Sequence, residues 1–258
     1  MKAGSMRIRI CHLYPDLMNI YGDRGNIIAL IRRAEWAGLE VEVRGVGLRE
    51  RPDFRGFDIL FIGGGQDKEQ FRIAQDLAEV KAGPLLAAVD DGLTLLAVCG
   101  GYQLLGRYFK TGSGATLPGI EVFDAWTVAG RRRCIGDVIV HCTLDGHPRT
   151  LVGFENHSGR TYLGPKAKPL GRVLFGWGNN GEDGSEGAVC RNAFGTYLHG
   201  SLLPKNPWLA DTLLRRALER RYGSGARLQP LDDAIEKQAQ QAIIARVRKR
   251  GKMNTGAI

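Results

Sequence analysis

An α/β fold built on a mostly parallel sheet flanked by helices is what this sequence predicts, and three observations carry the prediction. Up to Gly106, short apolar runs of strand composition alternate with amphipathic stretches of helical spacing. Two of the runs pass directly into glycines: Phe57–Ile62 leads into Gly63-Gly64-Gly65, and Leu93–Val98 into Cys99-Gly100-Gly101. A third short strand, within Asn192–Leu198, ends in His199-Gly200. Unbroken apolar runs suit strands buried on both faces of a parallel sheet, and such sheets place their sites just beyond the strands' carboxyl ends.

Met6–Leu13 alternates apolar and basic residues before turning apolar, as a first strand does. Leu17–Asn26 is rich in turn formers, and Asn26 is placed to cap a helix through Ile27, Leu30, Ile31, Ala34 and Trp36 that Gly38 ends. Leu39–Val46 is the second strand and Phe57–Ile62 the third, followed by the loop Gly63-Gly64-Gly65-Gln66-Asp67 and another helix. Beyond Gly106 the character changes to glycines and β-formers, with strands expected near Ile120–Val128, Ile135–Cys142, Val173–Trp177 and Gly187–Arg191. Arg131-Arg132-Arg133 falls between the first two as a solvated hairpin tip, and Glu155-Asn156-His157-Ser158-Gly159-Arg160 is a polar loop. Asn206–Tyr222 has the pattern of an amphipathic helix. Gly223-Ser224-Gly225 is a linker, so residues 6–222 form one domain and residues 223–258 a linker with a basic amphipathic helix and tail. The apolar stripe of that helix is Leu231, Ile235, Ala239, Ala242 and Ile243.

Composition narrows the classes. With 43% hydrophobic and 24% charged residues the chain has the makings of an ordinary globular core. No segment approaches the roughly 18 apolar residues of a membrane span, and Met1–Met6 has no apolar stretch behind its charge, so a cytoplasmic location is expected. The cysteines Cys11, Cys99, Cys134, Cys142 and Cys190 are scattered and form no C-x-x-C pair, which signals neither a disulfide framework nor a metal site. The net charge of +9 favours anionic partners, but the 36 Lys and Arg are spread along the chain without a nucleic-acid motif, so no nucleic-acid partner is expected.

The chemistry gathers at strand ends. Cys99 lies on a strand-to-helix turn with small neighbours, the setting that exposes a nucleophile, and the first N–H groups of the following helix favour its thiolate. Gly63-Gly64-Gly65 matches neither phosphate-loop pattern. It is a tight turn, or one half of an oxyanion hole completed by the N–H of Gly100. His199 repeats the layout of Cys99, and a base delivered from a later strand end is what a thiol nucleophile needs. One arginine of the 131–133 run could grip a substrate carboxylate.

Cys99-Gly100-Gly101-Tyr102-Gln103-Leu104-Leu105-Gly106, with Thr196-Tyr197-Leu198-His199-Gly200, resembles the class I glutamine amidotransferases of the cobyric-acid-synthase-like type. Three further segments are similar to the branch of that family that supplies ammonia to a Mur-ligase-like synthetase. They are Tyr21-Gly22-Asp23-Arg24-Gly25-Asn26, Gly63–Gln70 and Gly153–Thr161, and the resemblance runs from about Met6 to Tyr222. It implies a flavodoxin-like three-layer architecture and hydrolysis of L-glutamine, with Cys99 as nucleophile, His199 as acid and base, and Gly65 and Gly100 holding the oxyanion. Arg133, just before Cys134-Ile135-Gly136-Asp137, matches the family's glutamine-binding arginine. No metal or cofactor is implied for this chain. ATP and Mg belong to the partner, a MurT-type synthetase that amidates the α-carboxylate of D-glutamate in the lipid II stem peptide. The competing implications are an amidotransferase of cobalamin-type synthesis and, outside the family, a non-catalytic basic binding module. One departure stands out: many relatives carry a glutamate two residues after the histidine, where this chain has Ser201. Glu155, Asp23 or a partner's carboxylate is left to orient the imidazole.

Overall fold

The computed structural model describes residues 6–20, 23–199 and 202–249. Tyr21, Gly22, Gly200 and Ser201, which belong to segments singled out above, lie outside these residues, as do Met1–Ser5 and the end of the basic tail from Arg250. The first sheet is assembled from β1 (Arg7–Leu13), β2 (Glu40–Val46), β3 (Ile59–Ile62) and β4 (Thr94–Val98). Helix α1 (Arg24–Trp36) joins β1 to β2, and α2 (Asp67–Asp76), a π-helical turn at Leu77–Lys81 and α3 (Ala82–Asp90) join β3 to β4. A one-turn helix, α4 (Gly100–Leu104), follows Cys99.

A second sheet comes next in the chain, from β5 (Tyr108–Lys110), β6 (Thr116–Pro118), β7 (Ala125–Leu144), β8 (His147–Leu163), β9 (Gly171–Phe175) and β10 (Ser185–Glu186). The chain then returns to the first sheet through β11 (Ala188–Cys190) and β12 (Ala193–Thr196), and closes with α5 (Leu202–Lys205), α6 (Pro207–Tyr222) and α7 (Ala234–Lys249). The first sheet has the order β11-β12-β4-β3-β1-β2, parallel throughout except at the β11–β12 edge. Its inner strands β3, β4 and β12 are buried along their whole length, as their apolar runs require. Pairing of Leu13 with Ile62, Ile62 with Ala97 and Thr196 with Val98 brings the carboxyl ends of β1, β3, β4 and β12 to one edge. That shared edge sets the site.

The second sheet departs from the sequence expectation. Ile120–Phe123 is not strand; β7 and β8 form one long antiparallel hairpin turned at Asp145-Gly146, both with positive φ (52° and 79°), as a two-residue hairpin turn demands. Arg131-Arg132-Arg133 is therefore no hairpin tip. It sits in β7 at a register shift between Ala129, paired with Gly159, and Cys134, paired with His157, so four residues face Ser158 alone. The expected polar loop at 155–160 is part of β8.

Two helix expectations also change. Asn26 does not cap α1; it is buried in the helix, and its Oδ1 accepts the Leu203 N–H at 3.0 Å, while Trp36 is exposed. In α7 the buried residues are Ile244 and Val247, packed with Ile139, Val152 and Leu174, whereas Ile235 is 78% exposed. Gln240 donates to Lys205 O and Asn206 Oδ1, and Arg246 pairs with Asp137 at 2.6 Å, so α7 is fastened across β7 and β8. Arg33, buried in α1, grips both oxygens of Asp211 in α6 and one of Asp233 at 2.8 Å each, which holds the segment leading into α7. No described helix is long and apolar enough to cross a membrane.

Candidate active site

Cys99 occupies the turn between β4 and α4 with φ 49° and ψ −105°, a conformation that a residue with a side chain adopts only where its surroundings enforce it. The enforcement is visible. Its N–H donates to Thr196 O at 2.8 Å, and the Gly101 N–H donates to Gly63 O at 3.1 Å, which docks the start of α4 on the glycine loop. A Cβ on Gly101 would lie 2.9 Å from both Ile62 O and Gly63 O, so the second glycine of the pair is needed for that approach. A Cβ on Gly100 would meet Gln70 Nε2 at 2.3 Å and Gly65 N at 3.0 Å. The backbones of Gly65 and Gly100 thus face one another at the start of α4.

His199 arrives from the end of β12 and is fixed by its N–H, which donates to Phe154 O of β8 at 2.7 Å. Its ring is fully buried. Nδ1 lies 3.1 Å from Asp23 Oδ1, and Cys99 is close enough for its charge to act on the ring. Burial acts against charge on the ring, but negative charge at Cys99 and the hydrogen bond to Asp23 outweigh it, and the imidazolium is pushed up to about 10.

A cleft of about 450 Å³ opens over Cys99. Gly65, Gln70 and Gln103 line it on the side of the first sheet, and Arg133, Asn156 and His157 on the side of the second. Arg133, displaced by the register shift in β7, is held by Asn156 Oδ1, which accepts from Nε at 2.6 Å. Of the five residues that sequence reading singled out, Cys99, Gly65 and Arg133 line this cleft, whereas His199 and Gly100 stand beside Cys99 outside its lining.

It missed the supporting polar chain. Gln70 Nε2 donates to Gln103 Oε1 at 2.8 Å, Gln103 Nε2 donates to the Tyr197 hydroxyl at 3.0 Å, and Tyr197 contacts Thr161 at 2.7 Å. Gln103 follows Cys99 by one helical turn, the only local signal of this relay. His157 stacks on Tyr197 with ring centroids 3.7 Å apart and its Nε2 lies 3.3 Å from Glu155 Oε2. Glu155 also accepts the N–H groups of Trp177 and Gly178, at 2.8 and 3.1 Å. Glu155 and His157 therefore serve each other and the β9–β10 turn.

Residues 9–207 match the model of the CobB/CobQ-like glutamine amidotransferase domain. The chain is 42% identical to a lipid II isoglutaminyl synthase (glutamine-hydrolyzing) subunit GatD of Staphylococcus aureus, over 95% of this chain and 98% of that one. It is also 42% identical to the GatD subunit of Streptococcus pneumoniae, over 90% of this chain and 88% of that one. Among solved structures, PurLQS from Thermotoga maritima shares the fold at a TM-score of 0.57 and 17% identity, covering 83% of this chain and 99% of that chain. With its motifs on one sheet edge and this family match across most of its length, the chain belongs to the CobB/CobQ-like glutamine amidotransferases.

Proposed function

We propose that this chain is the glutamine-hydrolysing subunit of a lipid II isoglutaminyl synthase, supplying ammonia to a MurT-type synthetase. The observation that carries the reading is a cleft lined by both Cys99 and Arg133, with His199 near enough to Cys99 for the sulfur's charge to act on its ring. The Arg133 guanidinium holds the α-carboxylate of L-glutamine and so places the side-chain amide over the sulfur. The Cys99 thiolate attacks the amide carbon, and the resulting oxyanion accepts from the Gly65 and Gly100 N–H groups. With Nδ1 held by Asp23, Nε2 of His199 is the nitrogen that delivers a proton to the departing nitrogen. Ammonia leaves and a thioester remains. His199 then takes a proton from water as it adds to the thioester carbon, and glutamate is released as the thiol re-forms.

Thiolate, imidazole and backbone donors supply every proton and charge this route requires, so it calls for no metal or cofactor in this chain. ATP and Mg act on the partner, where the α-carboxylate of D-glutamate in lipid II is activated. The near-complete coverage of the two GatD relatives supports this assignment. A reduced nucleophile, with all five cysteines unbridged, fits a cytoplasmic location. Ammonia release from L-glutamine tests the reading: Cys99→Ala and Cys99→Ser should abolish it while thermal unfolding stays within a few degrees of the parent. Near-parental release by either variant would remove Cys99 from the reaction.

A further inference from the structure

We propose that Gln70 is a specificity residue of the glutamine site: its Oε1 accepts an N–H of the substrate's side-chain carboxamide, and so selects an amide over the acid that hydrolysis leaves behind. The proposal rests on the glutamine-hydrolysis reading above. Gln70 lies one turn into α2, the helix that the glycine loop leads into, and its backbone N–H donates to Gln66 O at 2.9 Å. It is 1% exposed, yet it lines the cleft over Cys99. Only half of its carboxamide is engaged. Nε2 donates to Gln103 Oε1 at 2.8 Å, whereas Oε1 is buried and has no partner among the described residues. A buried acceptor without a donor is costly, and at the wall of a cleft it marks where an N–H of a ligand belongs.

The polar chain behind Gln70 decides which of its two atoms is left over. Gln103 commits its own Nε2 to the Tyr197 hydroxyl at 3.0 Å, so its Oε1 needs a donor, and Gln70 turns its NH₂ that way. Position then assigns the partner. A Cβ on Gly100 would collide with Gln70 Nε2 and lie 3.0 Å from Gly65 N, so the Gln70 carboxamide stands beside the two N–H groups proposed to hold the oxyanion. Arg133 lines the cleft from the second sheet and takes the α-carboxylate end of glutamine. The end that reaches Gln70 is therefore the carboxamide, its oxygen toward Gly65 and Gly100 and its NH₂ toward the acceptor. Glutamate has no N–H to offer there and sets a carboxylate oxygen against Oε1, an unfavourable contact that helps the product leave.

Two substrates that differ only in the leaving group test this. Gln70→Met removes the acceptor in a side chain of similar length, and L-glutamate γ-methyl ester keeps the α-groups and carbonyl of glutamine but presents no N–H at the leaving group. In the full chain, kcat/KM for L-glutamine should fall about tenfold or more, while kcat/KM for the ester stays within about threefold. A role confined to holding Gln103, or to stability, would lower both alike. The readout is the ratio of the two values: a fall of about tenfold or more supports the proposal, and any smaller change overturns it. Should Gln70→Met fail to fold, the crystal structure of Cys99→Ala with bound L-glutamine decides. A substrate amide nitrogen within about 3.2 Å of Gln70 Oε1 supports the proposal, and any other arrangement overturns it. Ammonia release that survives in Cys99→Ser would sink the glutaminase reading, whereas an unmoved ratio with Cys99 essential sinks the role of Gln70 alone.

Discussion

The two sheets divide the site between them in different physical terms. On the first sheet, the residues around the Cys99 sulfur stand at the ends of strands that are buried throughout, and backbone hydrogen bonds from Cys99, Gly101 and His199 fix their directions. On the second, Arg133 rides on an irregular stretch of a long strand whose residues 131–133 are exposed, steadied by a side-chain contact with Asn156. Groups that make and break bonds need fixed geometry within a few tenths of an ångström, whereas a carboxylate grip tolerates a more yielding support. Damage to the first sheet's edge should therefore appear in kcat and damage to the hairpin in KM.

Gly100→Ala tests the rigid half, and the largest effect is expected there. The new methyl group would press on the Gly65 backbone and on the buried Gln70 amide, displacing the N–H groups proposed to hold the oxyanion. Loss of one such donor lowers kcat by about 10²- to 10³-fold, and KM should change far less. Steady-state ammonia release decides it, and a parental kcat would mean that the oxyanion is held elsewhere.

Arg133→Ala tests the hairpin. Losing a charge-assisted contact to the substrate carboxylate costs about 1.5 to 3 kcal/mol, so KM should rise roughly ten- to a hundredfold while kcat holds within severalfold. An unchanged KM would move the role to Arg131 or Arg132. A fall in kcat of the same size would blur the division between the sheets.

The smallest expected effect concerns the joint between the sheets. Glu186, from β10 of the second sheet, accepts from the Thr196 hydroxyl at 2.6 Å and the Tyr197 N–H at 2.8 Å. It is fully buried, and burial pushes its carboxyl up from 4.5 to about 7 despite those bonds. Since its folded pKa lies above the unfolded one, its contribution to stability is present at acid pH and is lost as pH rises from about 4.5 to about 7. Glu186→Gln should accordingly lose less melting temperature between pH 5 and pH 8 than the parent. Scanning calorimetry at the two pH values checks this, and parallel losses would remove Glu186 as the titrating group.

How much of this could be read from the sequence follows the same division. The inner strands of the first sheet are apolar on both faces, so β3 and β4 and the residues at their ends were legible as runs that stop at glycine or cysteine. The hairpin was legible only in fragments. Four residues of β7 opposite one of β8 interrupt the alternation, and the polar residues of β8 satisfy one another, as Glu155 and His157 do, which gives a buried strand the composition of a loop. Asn26 had every local mark of a helix cap; its partner, the Leu203 N–H, is distant in sequence, and no local pattern reveals such a contact. Asp23 was one of the acids the sequence left open for His199, and no local pattern selects it, because it meets the ring from the far end of the chain across the shared sheet edge.

Labelling with 6-diazo-5-oxo-L-norleucine followed by peptide mapping tests the central claim most directly, because the reagent must be bound as glutamine is before it can react. The account predicts label on Cys99 and on none of the other four cysteines, loss of ammonia release in step with labelling, and protection by L-glutamine that weakens in Arg133→Ala. Label at another cysteine, or ammonia release that survives complete modification of Cys99, would contradict it.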